Sequence, residues 1–430
     1  MSLSTPIDED VPVATGAATH EATAASRRHP DRIPSDGGAL LRAGREIASQ
    51  IGADAAAADR DRVLPHAAFD MIRREGLGAA RIDAARGGPG ASVEDLTRLS
   101  IVLAEADSNV AQALLPHWVS LERLLLMSSP AQRRKVENDV LAGVLYGNGT
   151  TERGTLRPLD VETRLQRTGD GYRLRGRKFY STGSLMADQT VILARDDADE
   201  LVYVLLPIQR AGVQLLDDWH GMGQRLTASG TTVLDDVQVY PDDIVGLKTW
   251  FDNRHYTGAF SQLIHCSIEV GIARAALADG IAWAHDGARP VKESGVDSVL
   301  KDPYVVQLVG DLATDVYAAE TATLAAARDV DAAARLQRDG GAHPAALEAR
   351  LIAASIAVSH AKIISTKAAL RVATHFYEVG GASGALAKHA FDRHWRNART
   401  HTLHDPVAYK YKAVGDFHLN GIAPPVGFVY

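Results

Sequence analysis

A chain of 430 residues is too long for one compact core, so two or three domains or one large layered unit are expected. With 46% hydrophobic and 23% charged residues and a net charge of -7, it reads as globular and lacks the basic field that nucleic-acid binding requires. The single cysteine, Cys266, excludes an intrachain disulfide framework and a thiol-rich metal site.

No apolar run reaches the roughly 20 residues needed to cross a bilayer. Residues 1–38 are polar and lack the apolar core of a signal peptide. They are expected to form a flexible tail on a cytoplasmic protein. Residues 39–141 then show helical spacing, with Leu40, Leu41, Ile47 and Ile51 followed by Leu64, Phe69, Met71 and Ile72. Turn chemistry breaks the pattern at 86–90, and a second stretch carries Leu96, Leu99, Ile101 and Leu103. Pro116 is expected to interrupt the next helix, which resumes from Leu121 to Met127.

Across 142–246 the period changes to that of strands. Residues 172–180 alternate, and 190–194, 201–206 and 231–240 read as further short strands, with Gly, Asp and Pro between. The helical period returns over 247–430, with a stripe of Ile264, Ile268, Ile272 and Ala276 and Ala-rich runs at 318–336 and 344–373. Helices, a β unit and helices again make an α+β chain. Strands that are not interleaved with helices argue against a doubly wound sheet.

The densest chemistry lies at 391–406, where three arginines, three histidines and a tryptophan occur in sixteen residues. His401 and His404 stand at i and i+3, so on a helix they share a face. Pro406 disfavours helix at Asp405, which predicts both imidazoles in the last helical turn, where the macrodipole favours positive charge. They are expected to handle protons. With Asp405 they also make the residue set of a metal triad, but a sequence-adjacent third ligand on a terminating helix is poor geometry, and no metal is expected. The turn Gly380–Gly384 is predicted to offer backbone N–H groups to a phosphate at the start of the next helix; the plain alternative is a helix–helix turn. His117, in an apolar helix, reads by itself as a core histidine. Hydroxyls and glycines at 147–154, 178–183 and 219–230 suit the approach of backbone to a flat polar ring.

Together these motifs, in this order over residues 36 to 430, resemble the acyl-CoA dehydrogenase superfamily. That resemblance implies an N-terminal helical domain, a middle β-barrel or sandwich and a C-terminal four-helix bundle. The family's Lys-x-Trp-x-Thr strand matches Lys178-Phe-Tyr-Ser-Thr182, its Gly-x-x-x-Ser strand entry matches 223–229 before Asp235-Asp-Val-Gln-Val239, and its Gly-Gly turn matches Gly380-Gly381. The dehydrogenase base does not match. The last helix offers Leu403-His404-Asp405 before Pro406 where a glutamate is usual, the alternative position near Ser261 holds no acid, and Glu269 is out of register. The stretch 396–406 is instead similar to the flavin-dependent monooxygenases on this fold, nearest the dibenzothiophene monooxygenase and sulfur-acquisition group; Asp302-Pro-Tyr304, Gly147-Asn148, Trp219 and Leu419-Asn-Gly421 agree.

The resemblance implies a two-component enzyme. A separate NAD(P)H-dependent flavin reductase supplies reduced FMN, with FAD as the variant, and oxygen adds at flavin C4a before one atom passes to a sulfide, sulfoxide or sulfinate. His117, Thr182, His401 and His404 are then the catalytic set. Asn148, Thr150, Thr182, Trp219, Ser229, Arg289, Gly380, Gly381 and Ser383 are the cofactor set, and the assembly is a homotetramer. Serine at 383 replaces that group's arginine, which moves phosphate binding towards Arg289 or backbone and leaves small sulfones and sulfinates open as substrates. The alternatives are an FAD-dependent acyl-CoA dehydrogenase with Asp405 as base and a flavin-dependent N-hydroxylase.

Overall fold

The computed structural model describes residues 29–157, 160–169, 171–248, 250, 252–340, 342–427 and 430; of the expected tail, residues 1–28 lie outside these. Local signals start each N-terminal helix. Asp36 accepts a hydrogen bond from the Ala39 amide at 2.8 Å and caps α1 (Gly37–Asp61). The short α2 (His66–Arg74) follows. Ser92 and Asp95 form a capping box on α3 (Val93–Ala106), and Asp107 caps α4 (Ser108–Met127). Ser129 and Gln132 repeat the box on α5 (Pro130–Leu141).

The break expected at Pro116 does not occur, and α4 is one helix of 20 residues. Proline in a helix interior costs about 3 kcal/mol. Leu114, Leu115, Trp118 and Leu121 are all buried around it, and each such side chain returns about 1.5–3 kcal/mol on burial. Tertiary packing therefore outweighs the local penalty.

Among the described residues eight strands follow: β1 (Tyr146–Gly149), β2 (Arg164–Thr168), β3 (Gly171–Lys178), β4 (Gln189–Arg195), β5 (Leu201–Pro207), β6 (Val213–Leu215), β7 (Thr232–Val239) and β8 (Ile244–Gly246). They pair in the order β6-β7-β3-β2-β4-β5-β8, with β1 beside β4. β4 is buried on both faces. Ile192 and Ala194 pack with Leu174, Leu234 and Val237 inside the folded-over sheet, while Val191 and Leu193 pack with Leu121, Leu125 and Val140 of α4 and α5. The sheet thus forms a sandwich-like unit whose outer face is sealed by helices.

The described residues of the C-terminal part form three long helices, α6 (Tyr256–Asp286), α7 (Pro303–Asp339) and α8 (Pro344–His375), and two short ones, α9 (Asp392–His401) and α10 (Ala408–Asn420). α9 packs on α6 and α8, and α10 packs on α8. One continuous apolar core runs from Leu40, Leu99 and Leu114 to Leu263, Val330 and Val372, so the helical regions before and after the sheet share an interior. Among the described residues no helix is long and apolar enough to cross a membrane.

Candidate active site

A chain of hydroxyls lies where β3, β7 and the loop at 219–230 converge. Thr182 Oγ1 is 2.8 Å from Ser229 Oγ, which is 2.7 Å from Thr227 Oγ1, and Thr227 donates to the Gln224 carbonyl at 3.0 Å. The Asn148 side-chain amide donates to the Tyr180 carbonyl at 3.2 Å, and Thr150 donates to Asn148 Oδ1 at 2.9 Å. Trp219 donates from its indole to the Gln224 carbonyl at 2.8 Å and lies edge-on to Tyr180. Asn148, Thr150, Thr182, Trp219 and Ser229 thus occur on one ledge. Tyr180, Gln224 and Ala228 here have positive φ without being glycine. Such backbone costs of order 1–3 kcal/mol each and persists where surrounding structure imposes it, often at functional sites.

The ledge is anchored to helices. Asn397 of α9 accepts from the Gln224 amide at 2.7 Å, and Asn109 of α4 accepts from the Leu226 amide at 3.1 Å. Gly223 lies against α9, where a Cβ would stand 1.9 Å from the Arg396 carbonyl oxygen. Arg396 is held in turn by buried Asp59 at 2.5 Å.

One helical turn beyond Asn397, on the same face, is His401. Its helix ends sooner than Pro406 implies. α9 stops at His401, and His404 lies beyond the end, its amide bonded to the His401 carbonyl at 3.0 Å. Beyond it, buried Lys410 of α10 pairs with Asp405 at 3.2 Å. His401 is buried, whereas the His404 side chain is 44% exposed.

A third histidine joins them. His265 Nδ1 of α6 is 3.3 Å from His401 Nε2, and the His265 ring lies 3.9 Å from that of His404. Burial, then the charges of neighbouring groups, pushes His265 and His401 well below the usual imidazole range, so both are neutral at pH 7. Behind them Lys362 of α8 pairs with Glu269 at 2.5 Å; Ser365 and Thr366 also bond that carboxylate, at 2.6 and 3.0 Å. Burial would lower the Lys362 pKa, but Glu269 and its other neighbours hold it above the ordinary value. Burial alone would raise the Asp405 pKa; His404, Lys410 and Lys362 outweigh it and keep the carboxyl far below the normal range.

The other expected residues lie elsewhere. His117 has both nitrogens in use: Nε2 is 2.9 Å from the Gly78 carbonyl, and Nδ1 accepts from the Tyr146 amide at 3.1 Å. Its ring stacks on Tyr146 and is sealed in the core. Burial pulls its pKa to about 4. Through these two bonds His117 ties β1 to α4, apart from the ledge. Nor does the Gly380 turn open a long helix. It enters a short 3-10 stretch, Gly381–Ala385, and α9 begins only at Asp392. Gly380 is pressed on Trp283, whose indole nitrogen would meet a Cβ at 1.9 Å, and on Ala288, next to exposed Arg289. Gly381 has a φ of +62° with open space where a Cβ would point, and Ser383 donates to the Gly380 carbonyl at 3.2 Å. This turn, with Arg289, forms a separate group whose packing partners are helical. Two clefts, of about 560 Å³ on α10 beside His418 and about 490 Å³ between Glu94 and Arg328, border neither the ledge nor the histidines.

Residue reasoning missed His265, Lys362 and Lys410. A signal existed: Gln262, His265 and Glu269 stand at i, i+3 and i+7 in the fully buried half of α6. Both Gln262 amide atoms and His401 Nδ1 are buried without a partner among the described residues. Orphaned buried polar atoms call for a water, an ion or a ligand. The hydroxyl ledge and these orphaned atoms fit a polar, planar cofactor with a reacting partner beside it.

Known proteins agree with that fit. The description "acyl-CoA dehydrogenase, C-terminal domain" matches residues 263–408. The FMN-bound dibenzothiophene monooxygenase TdsC from Paenibacillus sp. A11-2 is 30% identical, covers 91% of this chain and 100% of its own, and superposes with a TM-score of 0.83. The chain belongs to the acyl-CoA dehydrogenase-fold flavin monooxygenases. The methanesulfinate monooxygenase MsuC from Pseudomonas fluorescens is 27% identical over 91% of this chain and 99% of its own, again with a TM-score of 0.83. A probable FMNH2-dependent monooxygenase, SfnC, from Pseudomonas putida is 29% identical over 89% of this chain and 95% of its own. Within this family the carboxylates here are spoken for: Asp405 is neutralised by Lys410, and Glu269 is fully paired.

Proposed function

We propose that the protein is the oxygenase of a two-component system, taking reduced FMN from a separate NAD(P)H-dependent reductase and transferring one oxygen atom from O2 to a small organosulfur substrate. The observation that carries this reading is the end of α9. Where α-proton abstraction needs a free carboxylate, this chain presents two histidines and an aspartate already locked to Lys410. Relatives that act on dibenzothiophene and methanesulfinate bracket the substrate size.

Reduced FMN, when bound, supplies the electrons for oxygen activation. Asn148, Thr150, Thr182, Trp219 and Ser229 hold and orient its ring; Gly380, Gly381, Ser383 and Arg289 are assigned to its phosphate, reached from a neighbouring copy of the chain. His401 and His404 move protons at the reacting end. A homotetramer accords with this sharing and with exposed Tyr304 and Tyr317 on α7 and Leu419 on α10. Dependence on a NAD(P)H-fed reductase accords with the cytoplasm.

The test mixes anaerobically reduced, FMN-loaded protein with oxygen and a panel of sulfides, sulfones and sulfinates, and measures product and hydrogen peroxide. His401→Ala and His404→Ala keep the fold and FMN binding but release more hydrogen peroxide per flavin oxidised. Bleaching of bound FAD by an acyl-CoA, with no oxygenated product, overturns the reading.

A further inference from the structure

One buried side chain near the histidines has nothing to bond. Gln262 of α6 is 1% exposed, and both its amide atoms lack a partner among the described residues. An unpaired amide in the interior is costly, so such a group calls for a ligand or a water. This holds for either orientation of the amide, since its nitrogen and its oxygen are both unpaired. Gln262 precedes His265 by three residues on one face of α6, and His265 reaches His401 at 3.3 Å. The two helices that anchor the hydroxyl ledge, α4 and α9, both pack on α6. The amide therefore belongs to the helix face that the ledge and the histidines share.

The ions around it are already matched. Lys362, Lys410 and Asp405 act on His265 and His401. Lys362 is paired with Glu269 and Lys410 with Asp405; Arg81 is paired with Glu122, which Tyr256 at the start of α6 also bonds. Both inner imidazoles are neutral. His401 Nε2 lies 3.2 Å from the His265 carbonyl, a pure acceptor, so it carries the hydrogen and His401 Nδ1 is left as a lone pair. Beside the histidines there remain one amide donor, Gln262 Nε2, and two acceptors, Gln262 Oε1 and His401 Nδ1. An anionic sulfinate would bring an uncompensated charge and a second oxygen to these acceptors. A sulfide would leave the donor unpaired. A sulfoxide has no net charge and one strongly accepting oxygen.

We propose that Gln262 selects the substrate, its amide nitrogen donating to the oxygen of an uncharged sulfoxide and turning the sulfur lone pair to the reacting end. This rests on the monooxygenase reading and names the substrate class within it. The sulfur gains one S–O bond and is oxidised to a sulfone. The second atom of O2 leaves as water, with two electrons from reduced FMN and two protons.

Three probes of matched size decide it: methyl phenyl sulfide, methyl phenyl sulfoxide and benzenesulfinate. Each is supplied with reduced FMN and oxygen to the wild type and to Gln262→Leu, whose side chain has a similar volume but donates nothing. The wild type is expected to prefer the sulfoxide by kcat/KM. In Gln262→Leu the sulfoxide-to-sulfide ratio is expected to fall about 3- to 10-fold, the size of one neutral hydrogen bond. Preference for benzenesulfinate in the wild type overturns the proposal, as does an equal fall for all three probes. An unmoved ratio overturns it too, and a fall in FMN affinity alongside gives the amide to the flavin. Binding is measured apart from turnover, by calorimetry on protein holding oxidised FMN. There the sulfoxide must bind more tightly than both other probes and lose its lead over the sulfide in Gln262→Leu; any other order refutes the role of Gln262. Hydrogen peroxide without oxygenated product from every probe sinks the monooxygenase reading, and the binding order then still decides what the amide recognises.

Discussion

His117 shows how burial decides what an imidazole does. Its pKa is held at about 4 in the fold, against about 6.5 in the unfolded chain. Between those values the unfolded state binds the extra proton, so this contribution to stability is complete above about pH 6.5 and is lost as pH falls towards 4. The full loss is about 3 kcal/mol. His255, pulled to about 3 by burial and then by Arg123 and Arg254, adds in the same direction. Urea unfolding of the wild type is therefore expected to show a clearly lower midpoint at pH 5 than at pH 7, and His117→Phe to flatten part of that slope; a wild-type midpoint independent of pH removes this account. Thr182 makes a different prediction. Thr182→Val deletes the bond to Ser229 and a hydroxyl assigned to the flavin, and is expected to weaken FMN binding by about fivefold, since one such hydrogen bond contributes about 1 kcal/mol. Fluorescence titration measures it, and unchanged affinity takes Thr182 out of the cofactor contact.

At the scale of elements, the join between the loop at 219–230 and α9 sets the geometry. Gly223→Ala forces a methyl into the Arg396 carbonyl, so the loop must retreat from α9 and loosen the Asn397–Gln224 bond. The expectation is a several-fold loss of FMN affinity with helical circular dichroism unchanged; tight binding in that variant shows the join to be dispensable. Much of this layer was legible. β3, β4, β5 and β7 begin and end within two residues of where the sequence puts them: β3 alternates, and β4 and β5 are short apolar runs bounded by turn residues. The three-residue β6 and β8 are too short to leave a period. The continuity of α4 through Pro116 was illegible because packing, not propensity, decides it. The ledge residues were named from motif resemblance, whereas His265 went unread because one polar residue in an apolar helix looks like any satisfied core histidine. Its meaning appears only when α9, 136 residues away, brings His401 to it.

For the whole molecule, the buried pair Lys362–Glu269 is the test of how the helices hold together. Glu269→Leu or Lys362→Met alone strands a charge in the interior and is expected to cost about 3–5 kcal/mol, whereas the double variant recovers much of that. Chemical denaturation of the four proteins of that cycle gives the coupling directly; additive losses refute it. The contact of Gly223 with α9 has a consequence for how such enzymes are recombined. The sheet unit looks like a cassette that could be exchanged between relatives to alter the flavin side of the site. Yet its inner loop is shaped to one particular helix more than 160 residues downstream, and leans on the start of α4 as well. A graft that moves residues 142–246 without α9 and its Asp59 anchor carries a key cut for another lock. The smallest exchangeable piece is discontinuous in the chain, and substrate range in chimeras of this fold is expected to follow that spatial unit more closely than the sequence boundaries.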